Sequence, residues 1–241
     1  MAPAVLLLHG FTHTGSSWDP VVAALGERYR VIAPDIRGHG TAAGASPVTL
    51  DAVIADLEAL APVEGFTVAG YSMGGRIALH LALAMAGRVR RLVLVGASPG
   101  IADPVERAER RRADERLADE LAGLTIDEFA LRWARTPVLA GLPDEVLARV
   151  HTDRLRSTPE GLAAALRGLG TGALPSLWGR LGELPMPVVL VVGERDEKFT
   201  AIGWEMAASI ADAEVVVVAG AGHAVHLEAP AEVARIVDDS T

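Results

Sequence analysis

Unbroken apolar runs of strand length recur six times along the chain: AVLLLHG (4–10), YRVIAPD (29–35), FTVAGYS (66–72), RLVLVGAS (91–98), PVVLVVGE (187–194) and EVVVVAGAG (214–222). A strand with one wet face alternates apolar and polar residues, whereas these runs stay apolar at consecutive positions, as strands covered on both faces must. Between them lie segments with helical spacing, among them SSWDPVVAALGE, TLDAVIADLEALA, GRIALHLALAMAG and AIGWEMAASIA. This alternation predicts a mostly parallel sheet of about six strands flanked by helices, an α/β fold. The alternation breaks once. Across residues 101–184 no strand-like run occurs, and charged amphipathic helices with Pro and Gly breaks take its place. The expected organisation is one core, residues 1–100 and 185–241, with a helical lid, residues 101–184, over the carboxyl edge of the sheet, where such folds place their sites. The 241 residues, half of them hydrophobic, suffice for one large core rather than two independent ones.

The charge balance excludes some functions. A formal charge of −9, with no lysine-rich face or tail, argues against a nucleic-acid partner. The one dense basic run, ERAERRRADER (106–116), interleaves its arginines with acids. No cysteine is present, so disulfides, thiolate zinc sites and cysteine nucleophiles are all excluded. The opening MAPAVLLLHG lacks a basic leader and its apolar run is too short for a signal peptide or a membrane span. A soluble cytoplasmic protein that acts on a small molecule is the expectation.

GYSMGGR (70–76) follows a buried strand and opens a helical pattern, the context in which G-x-S-x-G forms a nucleophile elbow. The turn is tight, so small residues must flank Ser72, and its hydroxyl is raised to the top edge of the sheet. A serine hydroxyl needs an imidazole to activate it, and the imidazole needs a carboxylate to fix its tautomer. Of the seven histidines, His223 in GAGH stands just past the last strand, where a loop brings it over the elbow. His9 and His39 sit in turns (LHGF, RGHG) and are expected to bond loop backbone. His80 lies inside a helix, and His13, His151 and His226 have no strand-end placement. His223 and His226 lack a third ligand in view, so neither a metal nor a cofactor is expected. The acid should follow the preceding strand, and VVGERDEKF offers Glu194, Asp196 and Glu197. Asp196 falls in the loop, while the two glutamates are expected to be solvated or paired with Arg195 and Lys198. The backbone N–H groups of Met73 and Phe11 are the expected oxyanion donors. Arg76 is the oddity: a cation in the first turn of a helix opposes the dipole unless an anion comes to meet it.

HGF, DIRGHG, GYSMGG, the Asp196 loop and GHAVHLEAP, in that order, resemble the α/β-hydrolase superfamily over essentially the whole chain. Within it, GYSMGGR, ASPGI, RRRADERLADEL, FALRWARTPVLAGLP, LRGLGTGALPSLW and GERDEKF resemble one branch, the 2-succinyl-6-hydroxy-2,4-cyclohexadiene-1-carboxylate synthases of menaquinone biosynthesis, known as MenH. One departure is visible: Val95-Gly96 stands where an acidic residue is expected. The resemblance implies a lyase that eliminates pyruvate from 2-succinyl-5-enolpyruvyl-6-hydroxy-3-cyclohexene-1-carboxylate, with no acyl-enzyme. It further implies Ser72 as base, His223 as its activator, Asp196 as orienter, and Phe11 and Met73 as donors to the enolate.

Such a substrate carries three carboxylates, and an acidic protein must gather arginine forks to bind it. Arg76, four residues after Ser72, can project on the elbow side of its helix and meet one of them. In the lid, ordinary surface pairs such as Glu106 with Arg110 and Asp103 with Arg107 account for most of the basic run. The family pattern singles out Arg110 over Arg107 and Arg111, and Arg154 over Arg156. Tyr71 and Trp133 are expected to line the pocket. The same three residues would also serve a serine carboxylesterase or thioesterase working through an acyl-serine, and a non-catalytic binding module is the third class.

Overall fold

The computed structural model describes residues 2–136, 139 and 141–238. Its centre is a six-stranded, wholly parallel sheet built from β1 (Ala4–Leu8), β2 (Arg30–Ile32), β3 (Phe66–Tyr71), β4 (Val89–Val95), β5 (Val188–Gly193) and β6 (Ala213–Val218), in the spatial order 2-1-3-4-5-6. Leu6 pairs with Ile32 on one side and Val68 on the other, and Val93 stands between Ala69 and Val189. Each of the six apolar runs supplies one strand. β2 is shorter than its run, because beyond Ile32 the chain turns away and Asp35 accepts hydrogen bonds from Gly15 N and Thr41 N.

Successive residues of each central strand enter opposite cores, which is why the runs are continuously apolar. Leu6, Leu8, Val68, Leu92 and Leu190 face one layer, formed by α2 (Leu50–Leu60), α3 (Met73–Ala84) and α8 (Glu197–Ala207). Val5, Leu7, Ala69, Val93 and Val191 face the other, formed by α1 (Asp19–Leu25) and α9 (Pro230–Val237) with the buried Trp18. The edge strand β6 is only half covered, and Val217 is exposed.

Between β4 and β5 the chain is helical: α4 (Pro104–Leu121), α5 (Ile126–Trp133), α6 (Asp144–Arg154) and α7 (Pro159–Leu169). Side-chain caps start three of them. Asp103 accepts from Val105 N and Glu106 N ahead of Pro104, Thr125 and Glu128 form a capping box, and Thr158 accepts from Gly161 N ahead of Pro159. Ala118, Leu121, Phe129, Leu162, Ala163 and Leu166 form an apolar cluster within this segment, against which Phe11 and Trp133 pack. No helix of the described residues is long and apolar enough to cross a membrane.

The loops after β1 and β3 leave from adjacent strands at the point where the strand order reverses, the crevice in which open α/β sheets bind ligands. Two histidines brace this edge. His9 accepts from Ile36 N through Nε2 (2.9 Å) while its Nδ1 faces Gly10 O (2.9 Å), and His39 Nδ1 faces Ile36 O. Both rings are inaccessible to solvent, and burial pulls their pKa values down to about 4 and about 3. Burial lowers His13 and His226 as well.

Two predictions follow from this packing. A Cβ on Gly74 would run into the carbonyl groups of Leu8 and His9, backbone that cannot move aside. Gly74→Ala should therefore cost at least about 2 kcal/mol by urea unfolding, whereas Gly87→Ala, with open space around it, should be nearly neutral. Secondly, the buried histidines refuse protons that the unfolded chain accepts below its pKa near 6.5. Stability should thus fall as pH drops from 7 toward 4, by about 3 kcal/mol for His9 alone. Calorimetry at pH 5 in buffers of different ionisation enthalpy should show uptake of about two or more protons on unfolding; no uptake would contradict the neutral assignment.

Candidate active site

Ser72 occupies the single residue between β3 and α3 with φ 51° and ψ −107°, a conformation that L residues avoid. It is clamped there by two backbone bonds, Ser72 N to Val95 O (2.9 Å) and Arg76 N to Ser72 O (3.1 Å). Gly70 and Gly74 permit the turn, since a Cβ on Gly70 would meet the backbone of Gly74 and Gly75. Met73 opens α3, so its N–H has no acceptor one turn back in the helix.

His223 and Asp196 reach the same point from the next strands. His223 Nε2 lies 3.2 Å from Ser72 Oγ, and its Nδ1 lies 2.6 Å from Asp196 Oδ2. Asp196 is the N-cap of α8, where its other oxygen accepts from Phe199 N, so the capping bond fixes the carboxylate that faces the imidazole. The ring of His223 packs between Tyr71 and Phe199, with centroids 5.3 and 4.4 Å away. Gly96 stands where the acid is expected at the end of β4: with φ +53°, a side chain there is strained, and its Cβ would crowd His223 Cε1 and Nδ1 at about 3 Å. Arg195 bonds Glu228 (2.6 Å) rather than Glu194 or Glu197, and Glu228 in turn accepts from Gly222 N, tying down the loop that carries His223. Glu194 caps the same region by accepting from Gly220 N.

Above Ser72 is a cavity of about 290 Å³, lined on the sheet side by Phe11, Met73, Arg76 and His223 and on the insert side by Arg110, Leu117, Trp133 and Leu166. A larger hollow, about 610 Å³, opens among the strand starts around Ala2, Arg30 and Phe66, and its lining holds no serine or histidine. Arg76 is 9% exposed, its Nε has no hydrogen-bond partner, and among the described residues it makes no ion pair. Burial, then the charge of Arg110, brings its pKa down to about 10, still fully protonated at neutral pH. Asp114 pulls the other way without bonding to it, and a buried cation that no carboxylate bonds directly is costly, so it marks where an anion belongs. Trp133 stacks on Phe129 at 5.6 Å and meets Phe11 edge-on at 5.2 Å, forming one wall.

Other residues are placed differently from the sequence expectation. Arg110 pairs with Asp114 (2.8 Å) instead of Glu106, because Asp114 is the buried carboxylate on the inner face of α4, while Asp103 is used as the helix cap. Tyr71, expected on the pocket wall, is the last residue of β3 and points into the layer beneath; its ring packs on His226 (4.2 Å) and backs His223. Arg154, expected to contact substrate, is 1% exposed and lies outside the residues that line this cavity; it donates through Nε to Thr12 Oγ1 (3.2 Å), and its Nη2 has no hydrogen-bond partner. Burial lowers its pKa to about 10, against the opposing pull of Tyr71 and Asp153. Lys198, expected to pair with a neighbouring glutamate, instead lines the cavity beside Phe199. Thr171 and Asp114 complete its polar lining, and neither belongs to a motif that sequence alone singles out.

Among known proteins, residues 5–236 match the description "Alpha/beta hydrolase family". A Bacillus subtilis (strain 168) protein that provisionally carries the name 2-succinyl-6-hydroxy-2,4-cyclohexadiene-1-carboxylate synthase is 35% identical over 98% of this chain and 89% of its own length. The Salmonella paratyphi C (strain RKS4594) protein of that name is 33% identical over 96% of this chain and 91% of its own. The solved structure of MenH from S. aureus superposes with a TM-score of 0.93 at 31% identity, covering 98% of this chain and 92% of that one. With family, relatives and backbone in agreement, the chain belongs to the alpha/beta hydrolase family.

Proposed function

We propose that this protein is a cytoplasmic carbon–oxygen lyase that eliminates pyruvate from 2-succinyl-5-enolpyruvyl-6-hydroxy-3-cyclohexene-1-carboxylate, yielding 2-succinyl-6-hydroxy-2,4-cyclohexadiene-1-carboxylate. The observation that carries it is Arg76: a buried guanidinium whose Nε has no hydrogen-bond partner and which makes no ion pair among the described residues, lining the same cavity as Ser72 and His223. An esterase for neutral acyl groups has no use for such a charge, whereas a tricarboxylate supplies what it lacks. The relatives named as synthases of this product support the same assignment.

The chemistry follows from the positions. His223 Nε2 accepts the proton of Ser72 Oγ as that oxygen removes the ring C–H next to the succinyl ketone, and Asp196 stabilises the resulting imidazolium. Electron density moves to the ketone oxygen, where the N–H groups of Phe11 and Met73 are the stabilising donors. As the enolate re-forms the ketone, a new ring double bond forms between C2 and C3, the existing C3=C4 double bond moves to C4–C5, and the C5–O bond to the enolpyruvyl group breaks. The leaving enolpyruvate takes the proton that was removed and becomes pyruvate, so no acyl bond forms on Ser72. Arg76 and Arg110 are assigned to substrate carboxylates, with Trp133 and Phe11 against the ring. Residues 101–184 act as the lid that excludes water from the enolate, and they contribute Arg110 and Trp133 from above.

Pyruvate release from the enolpyruvyl substrate, followed with a coupled dehydrogenase, tests the assignment. Wild type should release one pyruvate per ring product, and Ser72→Ala should lose about 10³-fold or more. Rapid ester turnover without pyruvate would replace the lyase with a serine esterase. Arg76→Ala should lower kcat/KM for the tricarboxylate by about 100-fold, equivalent to about 3 kcal/mol, and leave neutral ester turnover within about threefold. Equal loss on both substrates would remove Arg76 from carboxylate binding.

A further inference from the structure

The turn that carries Phe11 is under strain and is held from outside the sheet. His13 N closes it onto Gly10 O (3.1 Å), with Thr12 at φ +70°. A threonine in the left-handed region costs about 1–3 kcal/mol and persists only where neighbours impose it. Gly10 is anchored by its junction with β1. The far side of the turn is held by two consecutive residues at the end of α6: Arg154 donates to Thr12 Oγ1, and Asp153 accepts from both the N–H (3.0 Å) and the hydroxyl of Thr14. Asp153 also faces His13 Nδ1 at 3.5 Å, and the exposed Arg156 lies 4.0 Å from its other oxygen.

Asp153 is 7% exposed. Burial pushes its carboxyl up, but the His13 ring 3.5 Å away and the two bonds from Thr14 outweigh it and bring the pKa to about 2, so the group is ionised throughout the neutral range. Burying a carboxylate is worthwhile only where it is well bonded, and here its bonds converge on the strand of chain immediately after Phe11. Thr14 in turn caps the short helical turn Gly15–Trp18 by accepting from Ser16 N, so one carboxylate sets the path from the oxyanion turn into the first crossover.

We propose that Asp153 is a positioning residue for the oxyanion hole: through Thr14 and His13 it fixes the Gly10–His13 turn, and hence the Phe11 N–H, so that docking of α6 and assembly of the donor pair are one event. This goes beyond the lyase assignment, because any chemistry that builds negative charge on oxygen above Ser72 requires the same donor, and it rests on that site only for the place of the nucleophile. A donor displaced by about 1 Å forfeits on the order of 100-fold in rate.

The test compares Asp153→Ala, Asp153→Asn and Thr14→Val in the full-length protein, each verified as folded by its thermal transition. Three readouts are used: pyruvate release, p-nitrophenyl acetate turnover, and the rate at which a fluorophosphonate labels Ser72. Asp153→Ala should lower kcat by about 30- to 100-fold with KM within about threefold, and labelling should slow in parallel. Asp153→Asn, which keeps one acceptor oxygen of the same shape, should recover most of the rate. Thr14→Val combined with Asp153→Ala should lose clearly less than the sum of the two single losses, because both remove the same hydroxyl–carboxylate bond. Unchanged rates, a rise in KM alone, or additive losses would overturn the proposal; if Asp153→Ala fails to fold, Asp153→Asn and Thr14→Val decide it by the same criteria. If wild type turns over the ester but releases no pyruvate, the lyase assignment fails while ester turnover and labelling still judge Asp153. A wild type inert in all three readouts overturns both.

Discussion

The close approach of α3 to the sheet is the constraint on which the site depends. Ser72 has one residue in which to reverse the chain from strand to helix, and it does so at a backbone geometry held by Val95 O on one side and by the first turn of α3 on the other. The helix can start so near the strands only because Gly74 lies directly on the carbonyls of Leu8 and His9. The hydroxyl, the dipole of α3, the Met73 amide and the Arg76 guanidinium are thereby set in one fixed relation. None of them depends on a loop that must find its place. The remaining partners arrive from neighbouring strands at the same edge, each pinned by its own bond: Asp196 by capping α8, and the His223 loop through Glu228 and Arg195.

Electrostatics in this chain works against its average. A molecule of formal charge −9 repels anions at long range. At the cavity the local balance is reversed, with Arg76, Arg110 and Lys198 around Ser72 and only Asp114 opposing them. Asp114 does not neutralise the group so much as aim Arg110, since its carboxylate receives Nε and leaves the fork's other nitrogens free of that bond. Net charge and local field are therefore separate quantities, and the second governs binding in a desolvated space.

The sheet was legible because its signal is local: every strand run is apolar at consecutive positions, and both cores confirm why. The elbow, Asp196 and His223 were legible because each stands at a strand end, in an order that the fold imposes. What could not be read were contacts set by tertiary packing. Nothing near Thr14 announces a carboxylate 139 residues away. The rotation of α4 decides that Arg110 meets Asp114 rather than Glu106, and both lie four residues distant, so spacing alone cannot choose. The side on which Tyr71 emerges depends on strand alternation counted back from a residue that itself breaks the alternation. Gly96 reads as an unremarkable strand-end glycine until the imidazole beside it is seen.

The apolar cluster inside the segment between β4 and β5 has an evolutionary consequence. Phe129, Leu121, Leu162 and Leu166 bury one another and meet the rest of the molecule chiefly through Phe11 and Trp133, apart from the two layers that sandwich the sheet. Exchanges in that cluster can reshape the roof of the cavity while the proton-transfer apparatus below stays intact. A scaffold divided in this way can acquire new substrates by altering its ceiling and leaving its floor alone.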